Sequence, residues 1–192
     1  MVMKAEPILR SFESVRREVA AGEEAATPRV LVTSPQGERF TQARARELAL
    51  EREIVLLCGR YKGIDERVIP LLGAEEISVG DYVLSGGEPA AIVILDAVAR
   101  LLPGVLGDTE SAESDSFSEP LLDAPVYTRP EDLGGRRVPD VLLSGDHERI
   151  RLWRRREAIR RTWLKRPDLL LGRTLGREDQ RLLDEVKKEE GR

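Results

Sequence analysis

Between Ala90 and Leu102 lie Ile92, Val93, Ile94, Leu95, Val98 and Leu101, so a helix written there is apolar on nearly every face. Such a helix is stable only when covered all round, by a sheet on one side and a further surface, such as a second subunit, on the other. Asp96 and Arg100 alone interrupt it, four residues apart and hence on one face. The segment leading into it is equally constrained. Glu75 to Ser78 reads as a short strand, Val79-Gly80-Asp81 as a turn, and Tyr82-Val83-Leu84 as a second apolar run. Ser85-Gly86-Gly87 then opens the helix. Ser85 and Glu88 have capping-box spacing, and Pro89 falls in the first turn, where its missing N–H costs little. Two glycines where a strand meets a buried helix let a ligand approach bare backbone.

The rest of the chain repeats this alternation. Glu6 to Ala21 has helical apolar spacing (Ile8, Leu9, Phe12, Val15, Val19). Arg29 to Ser34 reads as a strand ended by Pro35-Gln36-Gly37, and Thr41 to Leu50 as a helix. Glu53 to Cys58 reads as a near-continuous apolar strand, and Glu66 to Leu72 as a helix capped by Asp65. Strands that are apolar without strict alternation, separated by helices, predict a parallel sheet covered on both faces. Three of these strands run into Gly-bearing loops, after Ser34, Cys58 and Ser78. In open α/β sheets ligands bind at such carboxyl ends, so the loops are expected to build one pocket.

Beyond Leu106 the pattern changes. Gly107 to Asp123 holds six acids and no base, which predicts a mobile linker. Tyr127 to Pro139 reads as irregular. Asp146 to Arg166 reads as a helix with Leu152, Ile159 and Trp163 on one stripe, and Glu178 to Glu190 as a final charged helix. From His147 to Arg173 there are ten Lys/Arg against three Asp/Glu, in a chain whose net charge is −4. A basic segment in an acidic chain points to an anionic partner at one place. Cys58 stands alone, so no intramolecular disulfide forms, and a cytoplasmic home is expected. No apolar run reaches membrane-spanning length, so no membrane association is expected. No His/Cys/Asp/Glu group has metal-ligand spacing.

Read from the residues alone, Ser85-Gly86-Gly87 at a helix N-terminus suits a phosphate- or nucleotide-binding α/β protein, although neither a P-loop nor G-x-G-x-x-G is present. A series of blocks narrows the choice. These are Ser34-Pro35-Gln36-Gly37, Leu57-Cys58-Gly59-Arg60-Tyr61, Gly63-Ile64-Asp65-Glu66-Arg67, Ser78 to Glu88, Leu102 to Gly107, Asp115-Ser116-Phe117, Tyr127-Thr128-Arg129-Pro130, Val141 to Gly145 and Arg161-Thr162-Trp163-Leu164. In that order they resemble the bacterial tRNA (guanine-N1)-methyltransferases, the TrmD family of SPOUT-class enzymes. Each block is weak alone; the series is specific.

The resemblance implies an α/β fold: a SPOUT-type parallel sheet with a C-terminal trefoil knot, followed by a small helical domain. Residues 1–106 would form the knotted domain, 107–126 a flexible linker and 127–192 the helical tRNA-binding domain. It implies S-adenosyl-L-methionine as methyl donor, tRNA as acceptor, and a homodimer whose active sites are shared between subunits. The reaction would methylate N1 of guanine 37. Donor contacts would come from Val32, Thr33, Ser34 and Pro35, from Gly59 and Tyr61, and from Ser78, Val79, Gly80, Asp81, Tyr82, Val83, Leu84, Gly86 and Gly87. N1 of guanine carries a proton, so a general base is needed; by the match it is Asp115. Charge then builds on O6, where a fixed cation acts as an oxyanion hole does; by the match it is Arg100. Arg154, Arg155, Arg160 and Arg161 of the basic segment would bind tRNA. Mg²⁺ enters only as a family property, with no residue signature here.

The chain departs from the family in several places. Lys62 stands where Glu is usual, Pro89-Ala90 replaces Leu-Pro, and Asp146 replaces Asn. About fifty residues carrying a first strand and a Gly-rich loop would precede Met1, judged against ordinary domain sizes. The expectation is a start codon placed too late, with Met1 and Met3 internal to a longer protein. The rival reading is a non-catalytic dimeric RNA-binding fragment.

Overall fold

The computed structural model describes residues 1–20, 27–105, 115–117 and 119–191. The chain divides into two compact units, Met1–Gly107 and Asp108–Arg192.

In the first unit, helix α1 spans Ala5–Ala20, strand β1 Arg29–Arg39, α2 Gln42–Leu48, β2 Ile54–Cys58, α3 Val68–Leu72, β3 Glu75–Ser78 and α4 Glu88–Ala99. The sheet order is β2-β1-β3 and both pairings are parallel, as the apolar strands predict. Leu31 and Ile77 meet Ala45 and Leu48 of α2 and Ile94 and Val98 of α4 in one core. Val30 and Val32 alternate to the opposite face of β1 and are also buried, so both faces of the central strand are covered. β2, at one edge, has all five residues half-buried.

β1 is longer than its sequence suggests. Pairing with β3 breaks after Thr33 and resumes at Glu38 and Arg39, so Ser34 to Gly37 leave the ladder as an excursion. Gly37 is obligatory there: a Cβ would overlap the backbone of Glu76 and Ile77. At the far end of the sheet Arg29 binds Glu47 at 2.8 Å, Glu51 at 2.7 Å and Glu75 at 2.9 Å, and Arg44 binds Glu47 and Glu75. This network ties β1 to α2 and β3 at the end opposite the loops after Ser34, Cys58 and Ser78.

Three expectations change, and a fourth is met on one side of the helix. Tyr82-Val83-Leu84 forms no strand; all three side chains are exposed, and Val83 is 91% accessible. Ser85 does not cap α4, whose cap is Gly87 without a side-chain bond, and Glu88 Oε1 instead accepts from Arg60 at 2.8 Å. Asp65 does not cap a helix from Glu66; it accepts the Arg67 N–H at 3.1 Å and α3 begins at Val68. Finally, α4 is not covered all round within one chain. Ile92 (65%), Val93 (51%) and Leu95 (61%) are exposed on the side away from the sheet.

The second unit contains a two-residue hairpin, β4 (Asp132–Leu133) and β5 (Arg136–Arg137), then α5 (Asp140–Leu143), α6 (His147–Lys165) and α7 (Arg177–Glu189). Asp146 caps α6 by accepting the Arg149 N–H at 3.1 Å, a role that Asn also fills. Ile159 of α6 packs with Leu183 of α7 and with Leu121. The expected linker therefore behaves differently where it is described. Leu121 and Ala124 are buried, and Leu122 N–H bonds the Thr162 hydroxyl, so residues 119–124 belong to this unit's core. The rest of that stretch, 106–114 and Ser118, with the acids Asp108, Glu110 and Glu113, lies outside the described residues.

Candidate active site

A cavity of about 400 Å³ opens where the three Gly-bearing loops of the first unit converge. That volume is in the range of small-molecule sites. Its walls come from Val32 to Gln36, from Gly59 to Ile64, and from Ser78 to Gly80 with Tyr82 to Gly87. Of the residues assigned to the donor on sequence, all line this cavity except Asp81. Asp81 turns outward, 87% exposed, and pairs with Arg39 at 2.6 Å.

The loops are locked to each other by backbone. Gly87 N–H donates to the Gly59 carbonyl at 2.9 Å, and Arg60 and Gly86 form an isolated antiparallel bridge. A Cβ on Gly87 would overlap the Thr33 hydroxyl and stand 2.9 Å from Cys58 Cα. Gly87 thus serves loop-to-loop packing, while Gly59 has ordinary space around it, its nearest neighbour 3.6 Å away. Tyr61, at φ 61°, is a non-glycine residue in the left-handed region, a sparsely populated conformation that clusters at ligand sites.

Arg60, which lines the cavity, pairs with Glu88 at 2.8 Å. The hydrogen bond from Arg60 holds the Glu88 carboxyl below its ordinary range, helped by a backbone bond, so it is ionised at neutral pH. A carboxylate in the first turn of α4 already puts negative charge at that end of the helix, which weighs against the phosphate reading of Ser85-Gly86-Gly87. Burial, then the Glu88 charge, pushes the Cys58 thiol up, so Cys58 stays protonated and unreactive. Arg60, Lys62 and Ile64 also line the cavity. They had not been assigned to it, though Arg60 and Ile64 stand inside matched blocks.

Arg100 is not among the residues lining this cavity. It is the exposed C-cap of α4, whose opposite end carries Gly87. A helix of twelve residues is ~18 Å long. Within one chain the cation assigned to O6 is therefore remote from its own donor cavity.

The second unit carries a concavity of about 1800 Å³ whose lining includes Asp115, Tyr127, Arg129, His147, Arg151 and Arg154. Asp115 is half-buried there, next to a tight turn. The basic helix divides into two groups. Arg155 binds Asp179 of α7 at 2.7 Å and Glu119 at 2.5 Å, Arg151 reaches Glu178 at 3.4 Å, Arg156 pairs with Glu189 and Arg160 with Glu190. These arginines fasten α6 to the acidic α7. Arg154 and Arg161 carry no ion pair among the described residues.

Sequence comparison decides the family. The model of the tRNA (guanine-1)-methyltransferase TrmD family matches residues 1–172. The chain belongs to this family. Among TrmD relatives, a tRNA (guanine-N(1)-)-methyltransferase of Moorella thermoacetica is 54% identical over 191 residues, covering 100% of this chain and 75% of the relative. One from Dictyoglomus turgidum is 51% identical over 189 residues, covering 98% of this chain and 74% of the relative. One from Chromobacterium violaceum is 53% identical over 191 residues, covering 99% and 74%. TrmD membership fits an α/β unit with a parallel sheet. Among the described residues no helix is long and apolar enough to cross a membrane.

Proposed function

We propose that this chain methylates N1 of guanine 37 in tRNA with S-adenosylmethionine as donor, in the cytoplasm. The carrying observation is that donor-assigned residues scattered from Val32 to Gly87 line one cavity. When bound, S-adenosylmethionine supplies an electrophilic methyl group on a sulfonium. Gly59 leaves room for the donor against the chain, and the exposed Tyr82, Val83 and Leu84 offer apolar surface for its adenine. Asp115 takes the N1 proton of guanine as N1 attacks the methyl carbon. Arg100 stabilises the negative charge that spreads to O6. Arg154 and Arg161 hold the tRNA backbone. The bound donor would give its methyl group to N1 and leave as a neutral thioether, with the guanine proton held on Asp115.

The working enzyme is a homodimer with shared sites. Ile92, Val93 and Leu95 present an apolar face that a second copy would cover. With Arg100 remote from its own cavity, the cation is delivered across that interface. A SPOUT-type knot in the first unit and a tRNA-binding role for residues 127–192 complete the reading. The experiment is methyl transfer from labelled S-adenosylmethionine to two tRNA transcripts differing only at position 37. Label is expected in the G37 transcript, as 1-methylguanosine, and none in the A37 transcript. Equal labelling of both overturns the assignment to guanine 37, and label in neither, with no donor binding, sinks the enzyme reading in favour of a non-catalytic RNA-binding fragment.

A further inference from the structure

Apart from Arg161, the block Arg161-Thr162-Trp163-Leu164 has no part in the chemistry described so far, and it contains one of the few buried polar side chains among the described residues. Thr162 is fully buried. Its hydroxyl accepts the Leu122 N–H at 2.9 Å and donates to the Ala158 carbonyl at 2.7 Å. One helical turn later, the Arg166 guanidinium stands over the Phe117 ring, 5.9 Å from its centroid, and grips Asp168 through two bonds of 2.9 and 2.7 Å. Between these two anchors the segment closes on itself. Phe117 N–H donates to the Leu121 carbonyl at 3.0 Å, and Asp123 N–H donates to the Ser116 hydroxyl at 2.9 Å. Phe117 sits at φ 69° to make this turn. Asp115 is the residue that leads into it.

We propose that Thr162 and Arg166 are positioning residues, which hold Leu122 and Phe117 at the end of α6 and so fix Asp115 for proton abstraction. This rests on Asp115 being the base. Thr162 lies in the last turn of α6 and Arg166 is its C-cap, so together they bind the preceding segment at two separated points. One point is a backbone amide on a buried hydroxyl; the other is an aromatic ring beneath a cation. A general base works only within hydrogen-bond reach of its proton, and a displacement of about 1 Å can cost about a hundredfold in rate. Valine at 162 has the shape of threonine but no acceptor, so it leaves the Leu122 N–H without a partner. Serine keeps the acceptor.

The test compares Thr162→Val, Thr162→Ser, Arg166→Gln and Asp115→Asn in the 192-residue protein. Thr162→Val is expected to lower single-turnover methyl transfer about 10- to 100-fold, with tRNA and donor affinity unchanged within about threefold. Thr162→Ser should return the rate to within about threefold of the parent. Arg166→Gln, at an exposed position, should lower the rate in the same way without unfolding the chain, and it decides the matter if Thr162→Val does not fold. Amide exchange at Leu122 gives a readout free of activity: it should accelerate at least about tenfold in Thr162→Val and not in Thr162→Ser. Parent-like rates and exchange in Thr162→Val and Arg166→Gln overturn the proposal, as does a Ser variant no better than Val. If Asp115→Asn stays active, the base assignment falls instead. If Asp115→Asn is inactive while the α6 variants are normal, only the positioning role falls.

Discussion

Asp115→Asn is expected to abolish methyl transfer while leaving S-adenosylmethionine affinity within about threefold. The substitution keeps size and a hydrogen-bonding oxygen but removes the basic site, and a positioned general base is typically worth ~10²- to 10⁴-fold. Guanine N1 is protonated at neutral pH, so without a base the nucleophilic lone pair is not free. Donor affinity should survive because Asp115 belongs to the second unit, whereas the donor cavity is lined by residues of the first. Single-turnover kinetics and calorimetric titration of the donor separate the two quantities. Parallel losses in rate and donor affinity would remove Asp115 as the base and make it a binding residue.

Gly87→Ala should be nearly as damaging for a different reason. The added methyl group would overlap the Thr33 hydroxyl and press on Cys58 Cα at 2.9 Å and the Gly59 nitrogen at 3.1 Å. Two of those neighbours are backbone, and the Thr33 hydroxyl is itself bonded to the Leu57 carbonyl at 3.3 Å. Nothing there yields cheaply, so the loops must part and the Gly87–Gly59 hydrogen bond is lost. Overpacking of this kind costs about 3 kcal/mol, or a fall of ~10 °C in melting temperature for a chain of this size. Donor binding should fail with it, because the same loops wall the cavity. Gly59→Ala is the control. Its methyl group meets Ile64 at an ordinary 3.6 Å, so the melting temperature should barely move. Equal melting temperatures for the two variants would contradict the loop-to-loop role of Gly87.

The strands were legible because their apolar content leaves few alternatives. Val30, Leu31 and Val32 have to be covered on both faces, and the loops that follow parallel strands gather at one end. The cavity followed from that, and its residues were legible from the blocks Ser34 to Gly37, Gly59 to Tyr61 and Ser78 to Gly87. What was hidden depended on partners distant in sequence. Ser85 and Glu88 have the spacing of a capping box, but Arg60, 28 residues earlier, pairs with the carboxylate. Tyr82 to Leu84 look like a strand because they are apolar, yet their apolarity faces a cavity and solvent. The acid-rich stretch before Asp123 looks unable to fold, and composition cannot reveal that Leu121 fits between α6 and α7. The basic helix looks like one binding face, but Arg155 and Arg160 answer acids of α7, which only the helix pairing reveals.

The unusual α4 carries the largest consequence of the fold. A helix that is apolar on its outer side, with the proposed O6 cation at its far end, makes sense if two chains pack there and exchange catalytic groups. The central claim is thus that a donor cavity of one subunit works with the carboxylate of the other. Purified heterodimers of one Asp115→Asn chain and one Gly59→Val chain test it most directly. Both homodimers should be inactive, the first for want of a base and the second for want of donor binding. The mixed dimer joins an intact cavity to an intact Asp115 at one of its two sites and should recover about half the parent turnover. A mixed dimer that assembles and stays inactive would show that cavity and carboxylate act within a single chain, and would contradict the account.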